Sequence, residues 1–120
     1  INNVLTKEQG IEAFNMLTTL KNKPDAIFAA SDFSAIGALI AARERGVRLP
    51  EEMGIVGFAN EPFTEFVMPS LTSVDQNSVE MGRTVAKIFL EAGESNNETR
   101  EKVKINLEPR LIVRQSSKRK

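Results

Sequence analysis

The chain has 120 residues, enough for one hydrophobic core but too few for two comfortable domains. Its 16 Lys and Arg residues balance its 16 Asp and Glu residues, so it lacks the positive excess that would attract nucleic-acid phosphates. It contains neither Cys nor His, which excludes disulfides, zinc–thiolate sites, cysteine nucleophiles and histidine-based acid–base catalysis.

The first predicted elements are a helix and a buried strand. Thr6 and Gln9 have the spacing of a capping box, and apolar residues then recur at helical spacing up to Leu20. Pro24 stops this helix. Residues 26–30 form a continuous apolar run, which is typical of a strand that is buried on both faces.

A second helix is predicted to begin at Asp32, a natural N-cap, and to end at Gly46, a natural C-cap. One part of this helix is unusually slim, which would allow another backbone to approach closely. Its small residues are Gly37, Ala38, Ala41 and Ala42.

The remaining elements alternate in the same way. Residues 54–58 predict a second buried strand, residues 71–74 a third, and residues 79–93 a helix that ends at a glycine. Val103, Ile105 and Leu107 alternate with polar residues as in a half-exposed strand, and Leu111, Ile112 and Val113 follow Pro109 as another apolar run. The basic end, Lys118, Arg119 and Lys120, is expected to be a solvated tail.

Helices that alternate with buried strands predict an α/β fold with a parallel, doubly wound sheet. Ligands of such folds bind beyond the carboxyl ends of the strands. Three strand ends, at residues 30–32, 58–60 and 74–76, carry small or mostly polar side chains that can exchange hydrogen bonds with a hydroxyl- or amide-bearing ligand. Their convergence favours one shared cleft.

Chemical motifs are scarce. There is no GxGxxG and no GxxxxGK[ST], so no nucleotide cofactor is expected, and no metal-ligand cluster or catalytic residue is predicted. Asp32 and Asp75 are candidates for a phospho-acceptor site but are better explained as helix N-caps. Ser31 lacks a base partner for nucleophilic attack. Gln76 fits a ligand contact and a helix-end cap equally well.

The apolar residues of the segment 63–69 have two equally good interpretations. The segment could fold back on the core, or it could form an exposed interface patch. Its large apolar residues are Phe63, Phe66, Val67 and Met68.

In their order and spacing, these motifs resemble the C-terminal half of the effector-binding domain of the lactose-repressor (LacI/GalR) family of bacterial transcription regulators. The resemblance runs from about Thr6 to Arg114. Its motifs are residues 24–32, 35–38, 46–50, 55–58, 69–76, 81–82 and 108–114.

The resemblance implies a complete protein with an N-terminal helix-turn-helix domain and a two-lobed sensor that closes on a sugar, a nucleobase or a related metabolite. Residues 1–76 would belong to the C-terminal lobe and residues 77–93 to a helix of the N-terminal lobe. Residues 101–120 would form crossover strands and the basic tail. DNA would be contacted only through the helix-turn-helix domain, which is absent from this chain.

The resemblance also implies ligand contacts. Ser31 stands where the family has a ligand-contacting Asn, and Ala59 stands where it has a ligand-contacting Asp. Asn60 follows at the same strand end, and Gln76 occupies a cleft-hinge position. Leu5 replaces a stacking aromatic residue. Losing the Asp and the aromatic ring removes a charge-assisted hydroxyl acceptor and a stacking surface, which argues against a typical hexose effector.

A homodimer is implied in which the second helix and the segment after the second strand meet their symmetry mates. The predicted interface comprises Ala35, Ala38, Leu39, Phe63, Phe66, Val67 and Met68. The helix 79–92 has an apolar face formed by Val85, Ile88 and Phe89. Without the N-terminal lobe, this face is expected to dock against a second copy of the chain.

The sequence therefore predicts a cytoplasmic, non-enzymatic part of a LacI-type regulator that senses a small-molecule effector and dimerises. The alternative is a solute-binding protein of a sugar transport system, which shares the two-lobed fold. An upstream secretory signal would favour transport, and an upstream helix-turn-helix would favour regulation. The chain begins at Ile1, as expected for a segment of a longer protein, and no run of its residues is suited to cross a membrane.

Overall fold

The structure is a computed structural model that describes residues 5–93 and 104–119. No helix in these two segments is both long and apolar enough to cross a membrane. In chain order the elements are α1 (Lys7–Thr18), β1 (Ala26–Phe28), α2 (Asp32–Glu44), β2 (Gly54–Phe58), a 3-10 turn (Pro62–Glu65), β3 (Thr72–Asp75), α3 (Ser78–Gly93) and β4 (Arg110–Ile112).

The four strands form one sheet in the order β1-β2-β3-β4. The first three strands are parallel, as predicted, with Ala26 beside Gly54 and Val56 beside Thr72. β4 runs antiparallel to β3 and aligns Ser73 with Ile112. The α/β fold is confirmed, while the direction of the last strand was not predicted because hydrophobic periodicity carries no information on strand direction.

β1 differs from its prediction. It lies at an edge of the sheet, and its exposure pattern is not that of a strand buried on both faces, since Ala26 and Phe28 are exposed and only Ile27 is partly buried. The ring of Phe28 is 63% exposed. An apolar run alone cannot distinguish a central strand from an edge strand, because edge position depends on the order of strands in the sheet.

The prediction of a strand through Val103, Ile105 and Leu107 is wrong at Ile105 and Leu107. Residues 104–109 have no regular secondary structure, and Val103 lies outside the described residues. The outer edge of β3 is already paired with Arg110–Ile112. Residues 104–109 pair with no described strand, and alternation alone does not make a strand without a hydrogen-bonded neighbour.

α1 begins as predicted. The Thr6 hydroxyl accepts the Gln9 N–H at 3.2 Å, and the Gln9 side chain accepts the Thr6 N–H at 3.1 Å, which completes the capping box. The helix ends at Thr18, earlier than predicted, and Leu20 is half exposed.

The slim part of α2 packs directly against α1. A Cβ atom added to Gly37 would overlap the Lys7 carbonyl oxygen, and one added to Gly10 would overlap the Ser34 carbonyl oxygen. The close approach expected for Gly37 is thus confirmed, and the approaching backbone is that of α1. The core beneath this crossing comprises Phe14, Ala35, Ala38, Leu39, Ala41, Ala42, Met53, Ile55 and Leu71.

The C-terminal end is attached more firmly than a solvated tail. Arg119 donates from Nε to the Pro50 carbonyl at 3.0 Å and from Nη2 to the Asp25 carbonyl at 2.9 Å. The buried Ser116 hydroxyl donates to the Ile55 carbonyl at 2.6 Å. The tail prediction is therefore wrong for Arg119, whose guanidinium finds backbone acceptors. Lys118 is exposed, and Lys120 lies outside the described residues.

Candidate functional site

A cleft of about 500 Å³ opens at the carboxyl ends of β2 and β3. It lies where ligands bind in open parallel α/β sheets. Residues 59–62 line it from the side of β2, and residues 75–80 line it from the connection between β3 and α3. Arg83 of α3 and Arg110 of β4 complete the lining.

The backbone bordering the cleft is strained at three positions. Ala59 has a φ of 115°, and Asn60 and Asn77 each have a φ of 55°. Such conformations cost a residue other than glycine on the order of 1–3 kcal/mol, and they concentrate at functional sites. The Ala59 N–H donates to the Val74 carbonyl at 3.0 Å, and the Asn60 N–H donates to the Ser73 hydroxyl at 3.0 Å. The strained turn is therefore fixed to β3.

Asp32 is the buried anchor of this turn. Its carboxylate is fully buried, accepts the Ser73 hydroxyl at 2.7 Å through Oδ1, and accepts the Glu61 N–H at 2.8 Å through Oδ2. Gly57 leaves the space that this carboxylate occupies, since a Cβ atom there would overlap Oδ1. Asp32 thus joins the start of α2 to β3 and to the residue that follows the turn.

Two predicted caps need correction. The N-cap of α2 is Ser31, whose hydroxyl accepts the Phe33 N–H at 3.2 Å, whereas Asp32 is the first helical residue. The Asp75 carboxylate accepts the Asn77 N–H at 2.8 Å in a turn ahead of α3, which starts at Ser78. Aspartate is favoured at helix starts in general. Here the Asp32 carboxylate accepts from the Ser73 hydroxyl and the Glu61 N–H, and the Asp75 carboxylate accepts from the Asn77 N–H.

Of the residues predicted to contact a ligand, Ala59, Asn60 and Gln76 line the cleft. Ser31 and Leu5 are not among its lining residues: the Ser31 hydroxyl caps α2, and Leu5 is 58% exposed beside the start of α1. The three strand ends thus converge only in part, because β1 and the first helix contribute no lining side chain.

Asn60 has a second attachment. Its side-chain oxygen accepts from Arg114 Nη2 at 3.0 Å, and the same guanidinium reaches the Glu65 carboxylate at 3.1 Å and the Leu71 carbonyl at 2.9 Å. The Asn60 oxygen is therefore committed to the protein, which leaves its NH₂ group for a ligand. Sequence reasoning missed this role of Arg114, since its partners lie more than 40 positions away in the chain.

The apolar segment is partly folded back on the core and partly exposed, while its predicted role as an interface stays a prediction. Phe63 is partly buried, with its ring edge-on to Phe33 at a centroid distance of 5.1 Å, and Val67 packs against the core. Phe66 and Met68 are 83% and 82% exposed. The segment thus folds back at two side chains and presents the other two to solvent.

Of the three predicted dimer residues on α2, two are buried in the core and one lines an open cavity. Ala35 and Ala38 are 0% and 3% exposed within the core of their own chain, so they offer no surface to a second chain. Their inclusion in the predicted interface is wrong, because α1 already packs on the slim part of α2. Leu39 lines an open cavity of about 330 Å³. The cavity is lined by Ile36, Leu39, Ile40, Arg43, Val67 and Met68.

α3 carries apolar side chains that the described part of the chain does not cover. Val85 is 61% exposed and Phe89 is 76% exposed, while Ile88 is partly buried. Among the described elements, none packs extensively on α3. The helix is amphipathic, and its apolar face is largely uncovered by residues 5–93 and 104–119.

Comparison with known proteins matches the chain to one domain family and to several relatives. The periplasmic binding protein-like domain family matches residues 2–117. The HTH-type transcriptional repressor PurR of Haemophilus influenzae is 36% identical over 112 residues, which cover 92% of this chain and 33% of the repressor. The chain therefore spans about a third of the length of the curated relatives that it matches.

Two solved structures carry bound sugars in their descriptions. One is a complex of the transcriptional regulator CelR with cellobiose, with a TM-score of 0.82 and 36% identity over 93% of this chain and 34% of that chain. The other is a LacI family regulator from Lactobacillus casei with bound sucrose, with a TM-score of 0.80 and 26% identity over 95% of this chain and 42% of that chain.

Proposed function

The chain belongs to the periplasmic binding protein-like domain family, and on that premise we propose that it is the effector-sensing and dimerisation part of a bacterial LacI-type transcriptional regulator. The observation that carries the proposal is the cleft at the carboxyl ends of β2 and β3, with its strained and anchored backbone. The matched relatives with described activities are transcriptional regulators, which favours regulation over solute transport and over catalysis.

We place residues 1–76 in the C-terminal lobe of a two-lobed sensor, and α3 with the N-terminal lobe. The exposed apolar face of α3 supports this division, because each large apolar side chain left in water forgoes roughly 1.5–3 kcal/mol of burial. The rest of the complete protein would cover this face. In the isolated chain, a second copy would be the available cover for Phe89.

The effector that fits best is a neutral, polyhydroxylated small molecule. The cleft wall offers the neutral polar side chains of Asn60, Gln76 and Asn77, and two related regulators are described with cellobiose and sucrose. The complete protein would act in the cytoplasm, where it would contact DNA through a helix-turn-helix domain outside this chain.

A DNA-binding titration of the complete protein tests this function. We expect it to bind the DNA upstream of its own gene, and we expect one saccharide of a mono- and disaccharide panel to change that affinity at least about tenfold, a typical allosteric coupling. The 120-residue chain alone should show no sequence-selective binding, since it has a net charge of zero and no recognition helix. Selective binding by this chain, or none by the complete protein, would contradict the proposal.

We also propose that the complete protein dimerises through the open cavity between α2 and the 3-10 segment. Leu39, Val67 and Met68 are among the side chains that line this cavity, and Phe66, the neighbour of Val67 in the chain, is exposed. An exposed apolar patch of this kind can meet its own copy across a two-fold axis, which is the symmetric contact of a homodimer. The interface would then consist of Leu39, Phe63, Phe66, Val67 and Met68, without the two buried alanines.

Phe66→Asp is expected to weaken dimerisation of the complete protein at least about tenfold, because it places an unpaired charge in an apolar contact. Sedimentation velocity over a concentration series measures the effect. Leu20→Asp is the matched control, since Leu20 is half exposed just beyond the end of α1, outside the proposed contact. A monomeric wild type, or equal weakening by both substitutions, would show that the interface lies elsewhere.

A further inference from the structure

Four of the five charged residues that line the cleft form ion pairs with one another. Asp75 pairs with Arg110 at 3.5 Å, and Glu80 pairs with Arg83 at 3.7 Å. Glu61 is the remaining charged residue of the lining, and its carboxylate has no ion pair or hydrogen bond with any residue that the structure describes. Among the residues that the structure describes, Glu61 is therefore the one charged residue of the lining without an ion pair.

The backbone of Glu61 is held on both sides. Its N–H donates to the buried Asp32 carboxylate at 2.8 Å. Its carbonyl accepts the Thr64 N–H at 3.0 Å and the Thr64 hydroxyl at 2.7 Å. Pro62 restricts the conformation of the residue before it to extended backbone, and Glu61 has the matching φ of −58° and ψ of 147°.

This anchoring uses the backbone of Glu61 and not its side chain. Both backbone polar groups are satisfied inside the protein, so the carboxylate is the only group of this residue left for an external partner. Glu61 as a whole residue is partly buried and lines the cleft. A carboxylate on a fixed backbone binds a ligand hydroxyl more tightly than one on a mobile loop, because less ordering is needed on binding.

Position 59, two residues earlier, has no side-chain hydrogen-bonding group. Ala59 lines the same cleft, but its methyl group cannot accept a hydroxyl. The strained turn at Ala59 and Asn60 redirects the chain, so that Glu61 still borders the cleft although it lies beyond the strand end. The cleft thus has its acidic acceptor at residue 61 and none at residue 59.

We propose that Glu61 is a specificity-determining residue whose carboxylate accepts hydrogen bonds from adjacent hydroxyl groups of a neutral saccharide. The same charge disfavours acidic saccharides, since their carboxylates would meet the like charge of Glu61. This inference rests on the proposed function, because it assigns the effector class of the same cleft.

The experiment compares the complete wild-type protein with its Glu61→Gln and Glu61→Asp variants by calorimetric titration. The probes are glucose, cellobiose and sucrose, together with glucuronate as the acidic counterpart of glucose. Glu51→Gln is the control, because Glu51 is an exposed carboxylate in the turn before β2, at the opposite end of that strand.

We expect the wild type to bind at least one of the three neutral sugars and to bind glucuronate more weakly than that sugar. Glu61→Gln should weaken binding of that sugar by about ten- to a hundredfold, as expected for the loss of a charge-assisted hydrogen bond, whereas Glu51→Gln should leave it unchanged. Glu61→Asp keeps the charge on a shorter side chain, so its affinity should fall between those of the wild type and Glu61→Gln.

Equal affinities of the wild type and Glu61→Gln would overturn the proposal, as would binding of none of the neutral sugars or a preference for glucuronate. DNA binding distinguishes this failure from failure of the function. If the wild type binds its upstream DNA without binding a neutral sugar, the assignment of Glu61 is wrong while the regulator remains supported. If the complete protein binds no DNA, the proposed function itself fails, whatever the effect at Glu61.

Discussion

Gly37→Ala is expected to lower the free energy of unfolding of the chain by about 3 kcal/mol, the upper range for overpacking in a core. The added methyl group would overlap the Lys7 carbonyl oxygen and would lie 2.9 Å from the Ile11 nitrogen and 3.0 Å from the Gly10 Cα. All three neighbours are backbone atoms of α1, so no side-chain rotation can relieve the overlap. Urea denaturation followed by circular dichroism measures the loss.

Gly82→Ala is the matched control for this substitution. Gly82 also lies inside a helix, α3, but a Cβ atom there would have no neighbour within 4 Å. Ala is favoured over Gly in helix interiors by about 1 kcal/mol, so Gly82→Ala should leave stability unchanged or raise it slightly. If Gly37→Ala were as well tolerated as Gly82→Ala, α1 and α2 could not cross at the distance described.

Asp32→Ala is expected to destabilise the chain by about 3 kcal/mol or more, because it removes a buried acceptor of two hydrogen bonds. The Ser73 hydroxyl and the Glu61 N–H would lose their partner in the protein interior. The turn at Ala59 would then lose one of its attachments, so the affinity of the complete protein for its effector should fall as well. Denaturant unfolding and sugar titration give the two readouts.

Asp25→Ala provides the comparison for Asp32→Ala. The Asp25 side chain is 79% exposed, and its ion pair with Arg119 spans 3.5 Å. Exposed ion pairs contribute about 0–1 kcal/mol, so this substitution should change stability little. A loss at Asp32 no larger than that at Asp25 would mean that the buried network does not fix the cleft.

Local sequence signals predicted those elements that depend on neighbouring residues. The capping box of Thr6 and Gln9 and the glycine beyond α2 lie within a few positions of the groups they satisfy. The continuous apolar run 54–58 predicted β2 with its observed bounds, because this strand lies in the interior of the sheet and such strands are apolar throughout. The strand ends at residues 58–60 and 74–76 predicted the position of the cleft, because parallel strands end on one side of a sheet.

Features that depend on distant partners were not predictable in this way. Asp32 could be recognised as a helix-start residue, but its partners Glu61 and Ser73 are 29 and 41 positions away. Gly57 next to a buried carboxylate was the one available signal, since a glycine inside an apolar strand often marks a close approach. The burial of Ala35 and Ala38 could not be foreseen either, since small residues suit α1 and a second chain equally well.

Hydrogen exchange of the complete protein, with and without the saccharide that binds most tightly, tests the central claim most directly. The claim is that the effector occupies the cleft at the carboxyl ends of β2 and β3. We expect slower exchange at the backbone amides of residues 59–61 and 75–80 on binding. Exchange should not change in residues 47–53, which precede β2 at its opposite end. Unchanged exchange at the cleft, with protection confined to another part of the protein, would contradict the account.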